Sequence, residues 1–157
     1  MWLFLCCKTL HILSSTLLFG TGLGSAFYLW QAHRSGDMHL FAKVARSVVL
    51  ADWIFTTPAI IVQPVTGFIM AHLAGYALTA SWLELALILY VLIGACWLPV
   101  VFLQLRVRNM ALAAAQPGGV ADPRIERYMR CWYALGWPAF TGVIVIFGLM
   151  VCKPVLW

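Results

Sequence analysis

Two histidines, His11 and His72, offer this sequence its clearest ligand chemistry. Neutral imidazole binds haem iron axially and binds most transition metals. His11 belongs to a stripe with Lys8, Ser15 and Gly22 at helical spacing. Such a face suits an anionic or planar ligand such as haem b with its propionates toward the outer surface; the plainer alternative is a packed face beside a snorkelling lysine. Met70 with His72, Met150 with Cys152, and the Cys6-Cys7 pair form a softer set of the kind that holds Cu(I). Asp52 is the most expensive residue to place in an apolar setting. Arg106 or Arg130 can neutralise it, or burial can keep it protonated for proton handling. Asp52, Thr56, Ala59, Gln63 and Thr66 recur on one helical face, which is expected to point into a bundle. His33 and His39 are expected to be solvated. No phosphate-binding loop, nucleophile elbow, H-E-x-x-H or dinucleotide fingerprint is present, so signals for hydrolase or nucleotide chemistry are absent.

The elements that must position these residues follow from composition. Of 157 residues, 64% are hydrophobic and 10% charged, against about half and a quarter in a soluble domain. Too little polar residue is left to coat a water-facing surface. Four apolar stretches, each about 20 residues or longer, match the length an α-helix needs to cross a hydrocarbon core of roughly 30 Å. The expected fold is all-α, a single polytopic transmembrane domain over residues 1–157. Its antiparallel bundle has four transmembrane helices at about 3–30, 40–73, 82–105 and 124–152. The first apolar segment exceeds a signal-peptide core and reads as a retained helix. Pro58 and Pro64 predict a bend in the second helix, and residues 110–115 can extend the third beyond the span. Gly20 and Gly24 form a G-x-x-x-G step that lets a neighbouring helix approach closely.

The net charge of +5 is a topology signal here and not a nucleic-acid footprint, because the basic residues cluster. Arg34, Lys43 and Arg46 surround the first loop; Arg106, Arg108, Arg124, Arg127 and Arg130 surround the third; residues 74–81 carry none. The positive-inside bias puts the first and third loops in the cytoplasm and both termini outside, in the periplasm of a bacterial inner membrane. His11 and His72 then share the outer side, though His72 is at the interface and His11 is about 12 Å below the start of its helix. Five cysteines without C-x-x-C spacing predict no disulfide framework, a bridge from Cys6 or Cys7 to Cys152 being the conceivable exception. A shift of 80 residues superposes Trp2-Leu3 on Trp82-Leu83 and Pro58-Ala59 on Pro138-Ala139, which suggests two related helical hairpins.

Lys8-Thr9-Leu10-His11-Ile12-Leu13, the stretch from Gly20 to Tyr28, and the ending Met150-Val151-Cys152-Lys153-Pro154 resemble the bacterial membrane family "domain of unknown function 2269" over essentially the whole chain. The Leu-His-Ile opening and Lys-Pro ending are also similar, more distantly, to HemJ-type protoporphyrinogen oxidase and CopD copper-resistance proteins. That resemblance implies haem binding at His11. Trp30-Gln31 stands where HemJ has Pro-Arg, and Glu84-Leu85 where it has an early lysine in its third helix, which counts against carrying over porphyrinogen oxidation. The sequence thus points to a haem-associated or redox-linked membrane protein in contact with the lipid bilayer. The alternatives are a non-catalytic accessory subunit, packed in a homo-oligomer or against a membrane protein partner, and copper handling.

Overall fold

The computed structural model describes all 157 residues and contains four long helices and no strand. They are α1 (Trp2–Arg34), α2 (Met38–Leu73), α3 (Ser81–Ala114) and α4 (Arg124–Cys152). At 1.5 Å per residue they measure about 43 to 54 Å, so each crosses a 30 Å hydrocarbon layer and projects beyond it. Their outward surfaces remain apolar: Leu13, Ile61, Val91 and Leu98 are all more than half exposed. This surface suits hydrocarbon and not water.

The helices overrun the apolar stretches that mark them in the sequence. α1 continues to Arg34 and stops where Gly36 adopts a φ of 71°. Asp37 then accepts the backbone N–H groups of His39 and Leu40 at 2.9 and 3.1 Å, which starts α2 at Met38. The first loop is therefore residues 35–37, far shorter than expected. α3 runs on to Ala114, because no helix breaker occurs after Arg106 until Gln116-Pro117-Gly118. The arginines end the hydrocarbon span and not the helix, and the extension packs through buried Val107, Ala111 and Ala114.

α2 is interrupted as well as bent. Asp52–Thr56 form a π-helical turn, in which the Thr57 N–H reaches the Asp52 carbonyl five residues back. Pro58 follows two residues later; its ring would collide with the carbonyl four residues earlier, and the widened turn relieves that crowding. α4 contains Pro138 but no such turn, so the two hairpins differ at this point.

The two ends of the bundle are built differently. At the arginine-rich end, Leu29, Phe41, Ala45, Val107, Met129 and Trp132 belong to one continuous buried core that joins all four helices. A contact of 3.2 Å between His33 Nε2 and a Glu126 carboxyl oxygen links the end of α1 to the start of α4. In the other half α1 packs on the second half of α2, and α3 packs on α4. The two pairs meet through side chains, with the Phe19 ring 4.9 Å from Phe140 and 5.6 Å from Phe147. After α4, Lys153 takes a left-handed conformation and donates to the Tyr76 hydroxyl at 2.9 Å, and Ser81 accepts the Leu156 N–H. All five cysteines are free thiols.

Candidate functional site

The separation of the two helix pairs leaves a cavity of about 770 Å³ between them, mostly apolar, reaching along α1 from His11 to Trp30. That is about 28 Å of helix, nearly the full thickness of a bilayer core. Polar groups concentrate at its two ends.

At one end, Thr66 fixes the state of His11. The Thr66 hydroxyl donates to the Val62 carbonyl at 2.7 Å, so it accepts from His11 Nδ1–H at 2.9 Å. Nε2 is then the lone-pair nitrogen and accepts the Gln63 amide N–H at 3.1 Å, a tautomer assigned from the network. The Gln63 carbonyl oxygen in turn accepts the Ser14 hydroxyl. Gly67 makes room for the ring: a Cβ there would lie 3.3 Å from His11 Cε1. Four polar side chains thus tie α1 to α2 inside the membrane, where each would otherwise be costly.

Of the other residues expected on the His11 stripe, Ser15 and Gly22 line the cavity, while Lys8 is exposed and stands outside it. His72 is exposed in the last turn of α2, six residues or about 9 Å of helix beyond Thr66, and does not pair with His11. No three His, Cys, Asp or Glu side chains come together. Cys6, Cys152 and His72 are exposed, whereas Met150 faces the cavity. Gly20 and Gly24 do not sit at a helix crossing within the chain: a Cβ on either would meet nothing within 4 Å. The close approaches are instead at Gly67, at Gly22 beside Phe140, and at Gly142 against Ile93.

The other end of the cavity rests on the packed core. Here Asp52 is 8% exposed, and its Oδ1 accepts the Thr56 hydroxyl at 2.9 Å. Neither expected arginine reaches it. Arg130 pairs with Glu126 at 3.1 Å on the same face of α4, and Arg106 lies over the Phe102 ring on the exposed side of α3. Asp52 Oδ2 has no partner of hydrogen-bond geometry, although the Gln104 side chain stands beside the carboxyl group, and Trp132 Nε1 and the Tyr133 hydroxyl have none either. All three residues, with buried Gln104, line this end of the cavity.

Gln104, Trp132, Tyr133 and Tyr90 were not singled out as site residues by sequence. Trp132 and Tyr133 read as an interfacial aromatic collar, the usual role of such residues at a membrane end. Gln104 was legible in principle, as the one amide within the apolar stretch of α3 that ends at Leu105. Tyr90 donates its hydroxyl to the Ile60 carbonyl. That carbonyl would ordinarily bond residue 64, which is a proline and has no N–H. A buried orphan carbonyl needs a partner, and Tyr90 on α3 is the donor that meets it.

No curated protein and no solved structure matches the chain. A family model described as a predicted integral membrane protein, DUF2269, matches residues 5–154. With that match, and with four helices of membrane-spanning length and composition, the chain belongs to the DUF2269 family of integral membrane proteins.

Proposed function

We propose that this protein binds haem b through His11 and serves a redox process in a bacterial inner membrane. The observation that carries the reading is the His11 ring on the cavity wall, with Nδ1–H held by Thr66 and Nε2 left as the lone-pair nitrogen. Metal-ligating histidines are oriented in this way by a second hydrogen bond on the opposite nitrogen. The cavity volume falls within the roughly 300 to 1,000 Å³ of ordinary ligand sites. Of the two histidines, His11 alone would hold the group, because His72 stands apart. Bound haem supplies one-electron chemistry; the chain supplies an oriented imidazole, an apolar wall that excludes water, and Gln63, whose amide has to leave Nε2. Lys8, one turn before His11, is the propionate partner in this reading.

The test is a visible spectrum of the detergent-purified protein with and without dithionite. A Soret band that shifts on reduction and disappears in His11→Ala supports haem. A protein that stays colourless after incubation with haemin refutes it.

A second reading, a non-catalytic accessory subunit, draws on a different fact: both His11 ring nitrogens are already bonded within the chain. The open backbone at Gly20 and Gly24 then offers a surface to a partner helix or a second copy. A colourless protein that co-purifies with a membrane partner in fixed ratio supports it. Copper handling has the least behind it, since Cys6, Cys152 and His72 are exposed, Cys7 is buried and no three such ligands come together; stoichiometric copper on metal analysis would revive it. For orientation, the arginines around the first and third loops favour a cytoplasmic placement of the packed end. A periplasm-active reporter fused after Trp157 is then active, and activity confined to fusions in the loop containing Pro117 reverses the assignment.

A further inference from the structure

Three buried polar atoms without partners in one place are unusual, because each costs on the order of 1 to 3 kcal/mol if left so. Asp52 and Trp132 are 8% and 7% exposed, and the orphaned Asp52 Oδ2, Trp132 Nε1 and Tyr133 hydroxyl all belong to residues that line the same end of the cavity. Their chemistry defines what completes them. Indole N–H only donates, the phenol donates or accepts, and a carboxyl oxygen accepts when ionised. A carboxylate or phosphate head is repelled by Asp52, and an ammonium head is opposed by the indole N–H. The complement is a neutral group that both accepts and donates: a ring carbonyl or hydroxyl.

Access points to the same class of molecule. A groove of about 340 Å³ between α2 and α3 shares Asp52, Trp97 and Gln104 with the cavity. Its outer wall includes Trp53, Leu98 and Phe102, each more than half exposed on the lipid-facing surface. A molecule dissolved in the bilayer reaches the polar end sideways, without crossing water. Asp52 itself opens the π-helical turn of α2, a distortion frequent at functional sites.

We propose that this end of the cavity binds the head group of a membrane-soluble quinone or quinol. Its ring oxygens accept from Trp132 and Tyr133, and a quinol hydroxyl donates to Asp52. The apolar remainder of the cavity and the lateral groove hold the tail. The inference stands on the cavity and its orphaned atoms, independently of haem at His11, which lies at the opposite end.

The test uses the full-length protein in nanodiscs, prepared free of haem, titrated with decylubiquinone while tryptophan fluorescence is followed. Saturable quenching at about one equivalent is expected. Tyr133→Phe weakens decylubiquinone binding about five- to ten-fold, and Asp52→Asn weakens binding of the reduced form, decylubiquinol, to the same extent, the loss of one hydrogen bond each. Decylbenzene and decanol, which lack the oxygenated ring, bind at least ten-fold more weakly. Ligand-free Tyr133→Phe melts no lower than wild type, because its hydroxyl has no partner to lose; this also shows that the variant folds. The proposal is overturned if Tyr133→Phe binds decylubiquinone and Asp52→Asn binds decylubiquinol as tightly as wild type, or if either control matches the wild-type affinity. A marked fall in melting temperature for ligand-free Tyr133→Phe also overturns it, since trapped water would then already satisfy the group. His11→Ala keeps quinone binding, so failure of the haem reading and failure of this one are read separately.

Discussion

Tyr90→Phe tests whether a tyrosine on α3 replaces the donor that Pro64 removes from α2. The variant deletes only the hydroxyl that donates to the Ile60 carbonyl. Two magnitudes bear on the cost. A buried carbonyl left bare costs about 1 to 3 kcal/mol in a water-soluble protein, whereas interhelical hydrogen bonds in membranes average about 0.6 and reach about 1.7. Ile60 has no intrahelical donor at residue 64, so the loss should fall near the top of the membrane range, at about 1 to 1.5 kcal/mol. The decisive experiment is a double-mutant cycle with Pro64→Ala, which restores an N–H four residues after Ile60. In that background the carbonyl keeps a partner, and Tyr90→Phe should cost close to nothing. Reversible unfolding of wild type, both single variants and the double variant in mixed SDS micelles measures all four corners. The expected coupling is about 1 kcal/mol, a factor of roughly five in the unfolding equilibrium. Equal costs of Tyr90→Phe with and without Pro64 would refute the compensation, whatever the individual stabilities.

Other substitutions probe the packing on the same scale. Gly142→Ala sets a Cβ 2.9 Å from Ile93 Cδ1 and 3.0 Å from its Cγ1; a loss of about 1 to 3 kcal/mol is expected, and in an Ile93→Ala background, which lacks both atoms, Gly142→Ala should cost close to nothing in the same unfolding assay. Gly20→Ala with Gly24→Ala meets no neighbour within the chain, so thermal stability of the monomer holds or rises by up to about 1 kcal/mol per site; a fall in chemical cross-linking between copies would place that face at a contact between protomers. Asp122 lies outside the spans, and hydrogen bonds from the Arg124 guanidinium and backbone hold its carboxyl below the usual carboxylate range. Because the folded value is depressed, its contribution is present above about pH 4 and is lost as pH falls through the folded value. Asp122→Asn should flatten that part of the melting temperature's pH profile, and an unchanged slope would contradict the pairing.

Much of the fold was legible because hydrocarbon imposes a simple rule on sequence: long apolar runs become helices with every backbone group satisfied internally. Helix ends were less legible. Arg106 marks the edge of the hydrocarbon layer but is a good helix former, so α3 continues to Ala114 and supplies part of the core. The polar face from Asp52 to Thr66 could be read from spacing, since a lipid-facing carboxylate or amide is too costly. Its partners could not. Hydrogen bonding of His11 to Thr66 and Gln63 depends on how α1 and α2 are rotated, and single-helix periodicity contains nothing about that. The same limit hid the cavity floor: Trp132 and Tyr133 carry the composition of an interfacial belt, and the sequence of α4 alone does not show that both line the cavity.

The contrast between the two ends of the bundle has a common cause in side-chain size and in the solvent. At the arginine-rich end, Ala42, Ala45, Ala111 and Ala114 let helix backbones close together, and Leu29, Phe41 and Met129 fill what remains. In the other half, rings at Phe19, Phe140 and Phe147 fill the crossing and hold the pairs apart, while Gly20 and Gly24 face away from it. Lipid gives apolar surfaces no general reason to associate, so this half cannot close by burial alone. It is tied by a few polar contacts, His11 with Thr66 and Gln63, and Tyr90 with Ile60. A cavity bounded by such ties can admit a molecule without dismantling a packed core. The atoms left unpaired at its floor are those whose satisfaction would then belong to the ligand and not to the fold.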